Sequence, residues 1–220
     1  MGRALVTGAN RGIGLELCRQ LAERGEEVIG ACRRTSEALD ALGIRVEEGV
    51  DVTSDEAITA LDRRLGDLSL DLVINCAGIL ERNALESLDY DSIRRQFEVN
   101  AVGPLRVSAT LLHRMGPGSK IAIVTSRMGS IEDNSSGNSY GYRMSKAAVN
   151  MAGKSLAIDL RERGVAVCLL HPGFVKTEMT GHRGDVSPAE AARGLLERID
   201  ALTLESSGGF WHARGERLPW

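Results

Sequence analysis

Short aliphatic, β-branched runs alternate with amphipathic runs of helical length along nearly all of this 220-residue chain. That alternation constrains the fold more than any single motif. Residues 3–7, 27–32, 44–47, 71–75, 120–125 and 165–170 read as strands, and 209–212 as a seventh, edge strand. Between them, residues 12–24 read as a helix, with Ile13, Leu17 and Leu21 four apart on one face. A short helix is expected over 35–42. Thr53 and Glu56 suggest a capping box for a helix to about Leu65. Longer helices are expected over 91–115 and 142–163. Ser187, Pro188 and Glu190 supply an N-cap, an N1 proline and a capping-box partner for a last helix. Strand–helix alternation implies a parallel sheet, and right-handed crossovers wind it in both directions. The expected fold is α/β: one domain over residues 1–220, a doubly wound parallel sheet of about seven strands with helices on both faces. Ligands of such sheets bind beyond the carboxyl ends of the strands, where the strand order reverses.

Composition narrows the function classes. The formal net charge is -3, and no dense Lys/Arg run occurs. Neither nucleic acid nor a membrane surface is an expected partner. The N-terminal residues lack the long apolar core of a secretory signal, and no uncharged apolar stretch is long enough to span a bilayer. Cys18, Cys32, Cys76 and Cys168 stand far apart in apolar segments. They read as buried thiols in a reducing, cytoplasmic setting, with no metal site.

The first strand runs into Thr7-Gly8-Ala9-Asn10-Arg11-Gly12-Ile13-Gly14. A pyrophosphate needs backbone N–H groups at a helix N-terminus and no side chain in the way. Gly8, Gly12 and Gly14 meet that need, although their GxxxGxG spacing differs from the usual dinucleotide fingerprint. NAD sites commonly end the second strand on an acid for the ribose 2′-hydroxyl. Here Arg33 and Arg34 stand there instead, with Arg11 in the glycine turn. Guanidinium groups suit a 2′-phosphate. NADP(H) is therefore expected over NAD(H).

Tyr142 and Lys146 lie four apart near a helix start, on one face. A nearby ammonium is expected to lower the phenol pKa, so that the phenol can exchange a proton with a carbonyl oxygen near neutral pH. Ser126 closes the fifth strand and should point at the same cleft. Ser130 and Ser135 are alternatives further into the loop. Pro104 has no N–H to offer the carbonyl of Asn100, four residues earlier. That freed carbonyl is expected to hold a water linking Lys146 to solvent.

Taken together, TGANRGIG at 7–14, Asp51-Val52, NCAG at 75–78, Asn100, Ser126, YRMSK at 142–146 and Pro172-Gly173 resemble the short-chain dehydrogenase/reductase family, in the family's order and over most of the chain. The tail at 209–220 is similar to the C-factor-like and sniffer-type carbonyl reductase branch. The resemblance implies a Rossmann-type fold with Tyr142 as acid/base, Lys146 on the nicotinamide ribose, Ser126 orienting the carbonyl and Asn100 holding the relay water. It implies cofactor contacts at Gly8, Asn10, Arg11, Gly12, Ile13 and Gly14, at Arg33 and Arg34, and at Asp51 and Val52 against adenine. It adds Asn75, Ala77 and Gly78 on the adenine ribose side, and Pro172, Gly173, Val175 and Thr177 around the nicotinamide, with Thr177 near the phosphates or carboxamide. Two departures stand out: Cys76 replaces an asparagine, and Ser126 precedes Tyr142 by more residues than in many members.

The leading expectation is an NADPH-dependent enzyme interconverting a carbonyl and an alcohol, with a small aldehyde, ketone or alcohol as substrate. The alternative is a dinucleotide-binding signalling or regulatory protein of C-factor type. Only a short segment separates Thr177 from the last helix, so the substrate pocket should be open. Arg127, Met128, Ile131 and Phe174 are candidates to line it. Ala101, Val102, Ala147, Ala148 and Met151 could serve either a homodimer interface or the core.

Overall fold

The computed structural model describes residues 2–220. Seven strands form one sheet: β1 (Arg3–Thr7), β2 (Glu27–Ala31), β3 (Arg45–Glu47), β4 (Leu72–Asn75), β5 (Lys120–Val124), β6 (Ala166–His171) and β7 (Gly209–His212). Their order is β3-β2-β1-β4-β5-β6-β7. Every pairing is parallel, including the edge strand β7 on β6. The helices are α1 (Gly12–Glu23), α2 (Glu37–Asp40), α3 (Asp55–Arg64), α4 (Tyr90–Phe97), α5 (Gly103–Leu111), α6 (Tyr140–Asp159) and α7 (Pro188–Asp200).

Side chains alternate faces along a strand, and the core divides accordingly. Leu5, Val73, Ile121, Ile123 and Val167 pack with Ile58 and Leu61 of α3, Val107 and Leu111 of α5, and Val149 of α6. Their neighbours Ala4, Val6, Ile74, Ala122 and Cys168 face the other way, onto Leu17 and Leu21 of α1 and Leu195 and Ile199 of α7. Burial on both faces explains why these strands are continuous apolar runs.

Local chemistry sets the helix ends. Ser187 and Glu190 form the expected reciprocal capping box on α7. The expected box on α3 is corrected: Ser54 is the N-cap and accepts from the N–H of Ala57. The hydroxyl of Thr53 goes to Asp51 Oδ1 instead, at 2.7 Å. Asp51 competes for Thr53, and Ser54 takes the cap one residue later. The long helix expected over 91–115 is also interrupted. Between α4 and α5, Glu98–Val102 adopt a π-turn, in which the N–H of Gly103 reaches back to the carbonyl of Glu98. Pro104 follows immediately, and its missing N–H accounts for the loosened ladder. α6 starts two residues earlier than expected, at Tyr140.

α6 crosses the sheet closely at Gly153. A Cβ there would lie 2.8 Å from Leu169 Cδ2 and 3.2 Å from Ile123 Cδ1. Gly153→Ala should therefore cost about 1–3 kcal/mol, the usual range for overpacking a core. Urea unfolding checks this; unchanged stability would mean the helix shifts freely.

Candidate active site

The strand order reverses between β1 and β4, so their carboxyl ends diverge around a crevice. The Thr7 hydroxyl accepts the N–H groups of Cys76 (3.1 Å) and Ala77 (3.2 Å) and joins the two strand ends. A cleft of about 340 Å³ opens here, lined by the glycine turn, the segment after β4, α6 and the segment after β6.

The glycines have separate reasons to be there. Gly8 sits at φ +69, and a Cβ on it would meet Ala77 Cα at 2.8 Å. A Cβ on Gly14 would overlap the carbonyl of Gly8. Gly12, at φ +55, faces Thr177 across the cleft. Asn10, Arg11 and Ile13 also line the cleft. No side chain caps α1 and no acid occupies its first turn, so its N–H groups remain available to an anion.

The candidate catalytic groups converge on the opposite wall. Tyr142 and Lys146 both line the cleft. Lys146 Nζ donates to the carbonyl of Val124 at 3.0 Å and lies 5.7 Å from the centroid of the Tyr142 ring. The Ser126 hydroxyl lies near enough to Tyr142 to act on its phenol, and it accepts from the N–H of Met128 at 3.2 Å. Gly129 lets this turn ride on the backbone of α6, since a Cβ would sit 2.6 Å from the carbonyl carbon of Lys146. Ser130 is committed elsewhere: it donates to the carbonyl of Trp220 and accepts from Asp133 N–H. Ser126 is thus the serine that reaches the tyrosine, despite its long spacing.

Asn100 is buried in the π-turn. Its Nδ2 donates to the Ile79 carbonyl (2.9 Å) and to Ser145 Oγ (3.0 Å). Its Oδ1 accepts from the N–H of Ile79 at 2.8 Å. The side chain therefore pins the segment after β4 to α6.

The electrostatics correct one expectation. Burial pushes the Tyr142 phenol up to about 12, and the Ser126 hydroxyl opposes that rise. Burial pushes Lys146 down to about 8. The ammonium does not lower the phenol pKa here, because it donates to Val124 rather than to the phenol oxygen. Burial shifts both groups toward their neutral forms, and Lys146, at about 8, still carries its charge at neutral pH.

Ala77, Gly78, Pro172 and Thr177 line the cleft as expected. Asn75 does not. It is buried, and its Nδ2 donates to Ser108 Oγ of α5 at 3.0 Å, so its side chain lies outside the lining. Val175 is buried too and bridges Val186, a role in holding its loop. Gly173 lies behind the lining, at φ +93 against Val186 and His212. Arg33 and Arg34 are exposed just past β2, outside the lining, with Arg33 close enough to help hold Asp51 below the usual carboxylate range. Val52 packs against Gly103. Arg11 pairs with Glu178, and both line the cleft.

Several lining residues were missed: Cys76, Ile79, Val124, Thr125, Lys176, Glu178, Met179, His182 and Pro188. Cys76 alone had a signal, as the odd residue in NCAG, and it faces the cleft instead of being one more core thiol. On the substrate side, Arg127 bridges Asp133 (3.1 Å) and Glu216 (2.9 Å), while Ile131 and Phe174 are exposed.

The short chain dehydrogenase family profile matches residues 3–187. The chain belongs to that family. Among curated relatives, 1-hydroxy-2-glutathionyl-2-methyl-3-butene dehydrogenase of Rhodococcus sp. (strain AD45) is 48% identical, with both chains covered in full. The C-signal protein of Myxococcus xanthus is 45% identical over 154 residues, covering 69% of this chain and 93% of that protein. Among solved structures, NADPH-bound carbonyl reductase from chicken fatty liver superposes with a TM-score of 0.89 at 29% identity, covering 100% of this chain and 99% of that one. For this short-chain dehydrogenase the seven-stranded parallel fold is therefore shared well beyond the glycine turn and the Tyr-Lys pair.

Lys146 gives a stability prediction. Its folded pKa, about 8, lies below the ordinary lysine value, so folding expels a proton between the two. Its contribution to stability should rise as pH climbs from about 8 through the ordinary lysine pKa of about 10.4. The native protein should gain on the Lys146→Met variant across that window, measured by urea unfolding at pH 7, 8.5 and 10. A pH-independent difference would mean that Lys146 is solvated in the folded state.

Proposed function

We propose that the protein is an NADPH-dependent oxidoreductase that interconverts a carbonyl and an alcohol. Tyr142 and Lys146 on the wall of a cleft that holds an uncapped, glycine-lined helix start, with Ser126 near the phenol, carry this reading. The residues present fit the dinucleotide. Gly8, Asn10, Arg11, Gly12, Ile13 and Gly14 would hold the pyrophosphate. Arg33 and Arg34 would take the 2′-phosphate, and Asp51 and Val52 the adenine. Ala77 and Gly78 would line the adenine ribose side, and Lys146, Pro172 and Thr177 would surround the nicotinamide riboside. When bound, NADPH supplies the hydride.

The chain's own groups manage the proton. Tyr142, held protonated by burial, donates to the carbonyl oxygen in the direction of reduction. Ser126 offers that oxygen a second hydrogen bond. Lys146, 5.7 Å from the centre of the phenol ring, would hold the nicotinamide ribose. The carbonyl of Asn100, in the π-turn before Pro104, is assigned the water that returns the proton from solvent.

The substrate is a small aldehyde, ketone or alcohol. The Rhodococcus relative is named for an alcohol bearing a glutathionyl group, so hydroxyalkyl glutathione conjugates head the substrate panel. The Myxococcus C-signal relative keeps the signalling alternative in view. Met144, Met151 and Ile158, exposed at seven-residue intervals along α6, are assigned to contact with a second copy of the chain. The cysteines are unpaired, which suits a cytoplasmic setting.

Two experiments test the reading. Tyr142→Phe should cut carbonyl reduction by roughly 100-fold or more, the scale of a lost general acid. NADPH binding, followed by nicotinamide fluorescence, should survive. Retained turnover would remove Tyr142 from its role, and signalling without turnover in the native protein would favour the alternative. Arg33→Ala with Arg34→Ala should weaken NADPH binding about tenfold or more while leaving NADH binding nearly unchanged, as expected for lost charge-assisted hydrogen bonds. Equal losses for both cofactors would place the guanidinium groups away from the 2′ position.

A further inference from the structure

Under the segment that follows β4 lies a buried polar cluster that the proposed chemistry leaves unused. Gln96 on α4 has no exposed surface, and Asn83 and Ser92 are almost as deeply buried. Gln96 Oε1 accepts the N–H of Glu81 at 3.0 Å. Its Nε2 donates to Asn83 Oδ1 (3.3 Å) and Ser92 Oγ (3.2 Å). Asn83 Nδ2 donates to the same Ser92 oxygen at 3.3 Å. A methionine or leucine would fill this volume without burying amides, which need partners once removed from water.

The cluster touches two working parts at once. One is the segment that starts at Gly78 and Ile79 on the cleft wall and runs through Glu81 to Asn83. The other is the first turn of α6. The carbonyl of Asn83 accepts the N–H of Ser139 at 2.8 Å. Ser139 is the N-cap of α6, and both it (φ 50) and Asn138 (φ 57) hold a left-handed backbone that non-glycine residues rarely adopt. Gly141 then lies directly on the cluster. A Cβ there would come 2.7 Å from Gln96 Nε2 and 3.0 Å from Asn83 Oδ1. Tyr142 is the next residue.

We propose that Gln96 is a positioning residue for Tyr142. Its amide locks the strained entry of α6 to the cleft segment and so fixes where the phenol meets Ser126. This rests on Tyr142 being the acid/base. Gln96 touches neither the glycine turn nor Lys146, so its effect falls on turnover rather than on dinucleotide affinity.

Gln96→Met keeps the volume and removes every polar atom of the cluster's centre. It should lower kcat roughly 10- to 100-fold, the cost of misplacing a reacting group by about 1 Å. NADPH affinity by fluorescence should stay within about twofold of native on the same argument. The pH dependence of kcat should shift, because the phenol moves relative to Ser126, which acts on its titration. Tyr142→Phe is measured in parallel. If Tyr142→Phe retains turnover, the parent reading fails. If Tyr142→Phe is inactive while folded Gln96→Met keeps native kcat and pH profile, the positioning role alone is overturned. A lowered Tm with unchanged kcat would likewise reduce Gln96 to a packing role and overturn the proposal. Should Gln96→Met fail to fold, Ser92→Ala removes one shared acceptor. It should then lower kcat in the same direction by a smaller factor, and native kcat with a native pH profile in that variant overturns the proposal.

Discussion

The hydroxyl of Thr7, accepting two N–H groups from the strand end beside it, sets the geometry on which the site depends. β1 and β4 are adjacent in the sheet but lead to helices on opposite faces, so their ends must part. Without a link, the parting strands would leave unpaired N–H groups at the crevice floor. Thr7 satisfies two of them and holds Ala77 close enough that only glycine fits at position 8. Gly14 then fits under the carbonyl of Gly8, and the start of α1 is brought to the cleft edge. Strand order makes the crevice, and this hydroxyl with two glycines makes it narrow.

Across the cleft the governing term is desolvation. Tyr142 and Lys146 sit in the same low-dielectric wall, and burial moves each toward its neutral form. The expectation from sequence spacing was that an ammonium four residues along a helix would draw the phenol pKa down. In the structure the ammonium spends a hydrogen bond on Val124, which holds it beside the ring rather than at the oxygen. A protonated phenol suits donation to a carbonyl oxygen. The reverse reaction requires a phenolate, and a positive charge in the cleft would favour one.

Elements whose signals are local were legible in the sequence. The two strands at the ends of the chain order, 3–7 and 209–212, have the expected bounds, as does the Ser187–Glu190 cap. The glycine turn and the Tyr142–Lys146 pair were legible because their spacing is their function. What failed depends on tertiary neighbours. Thr53 looked like a cap until Asp51 took its hydroxyl. The Asn75 amide meets Ser108, 33 residues away, a contact that no local spacing announces. Glu178, Met179 and His182 line the cleft from an irregular segment with no periodicity to betray them. The Gln96 cluster joins α4, the segment after β4 and α6, and no spacing within the chain announces such a meeting.

The cleft mouth shows how the irregular segment bears on binding. Arg11 and Glu178 close it with an ion pair whose two side chains are both more than half exposed, 58% and 61%. A pair so exposed contributes little to stability, because water and salt screen it. Its consequence is local: the one acid at the mouth neutralises the one guanidinium in the glycine turn. A dianionic pyrophosphate offers Arg11 more charge than a single carboxylate does, and the uncapped N–H groups of α1 lie beside it. A pyrophosphate held at the start of α1 would compete with Glu178 for Arg11. Thr177, Met179 and His182 line the cleft from the same irregular segment as Glu178, so the acid that pairs with Arg11 belongs to the wall that would face the anion.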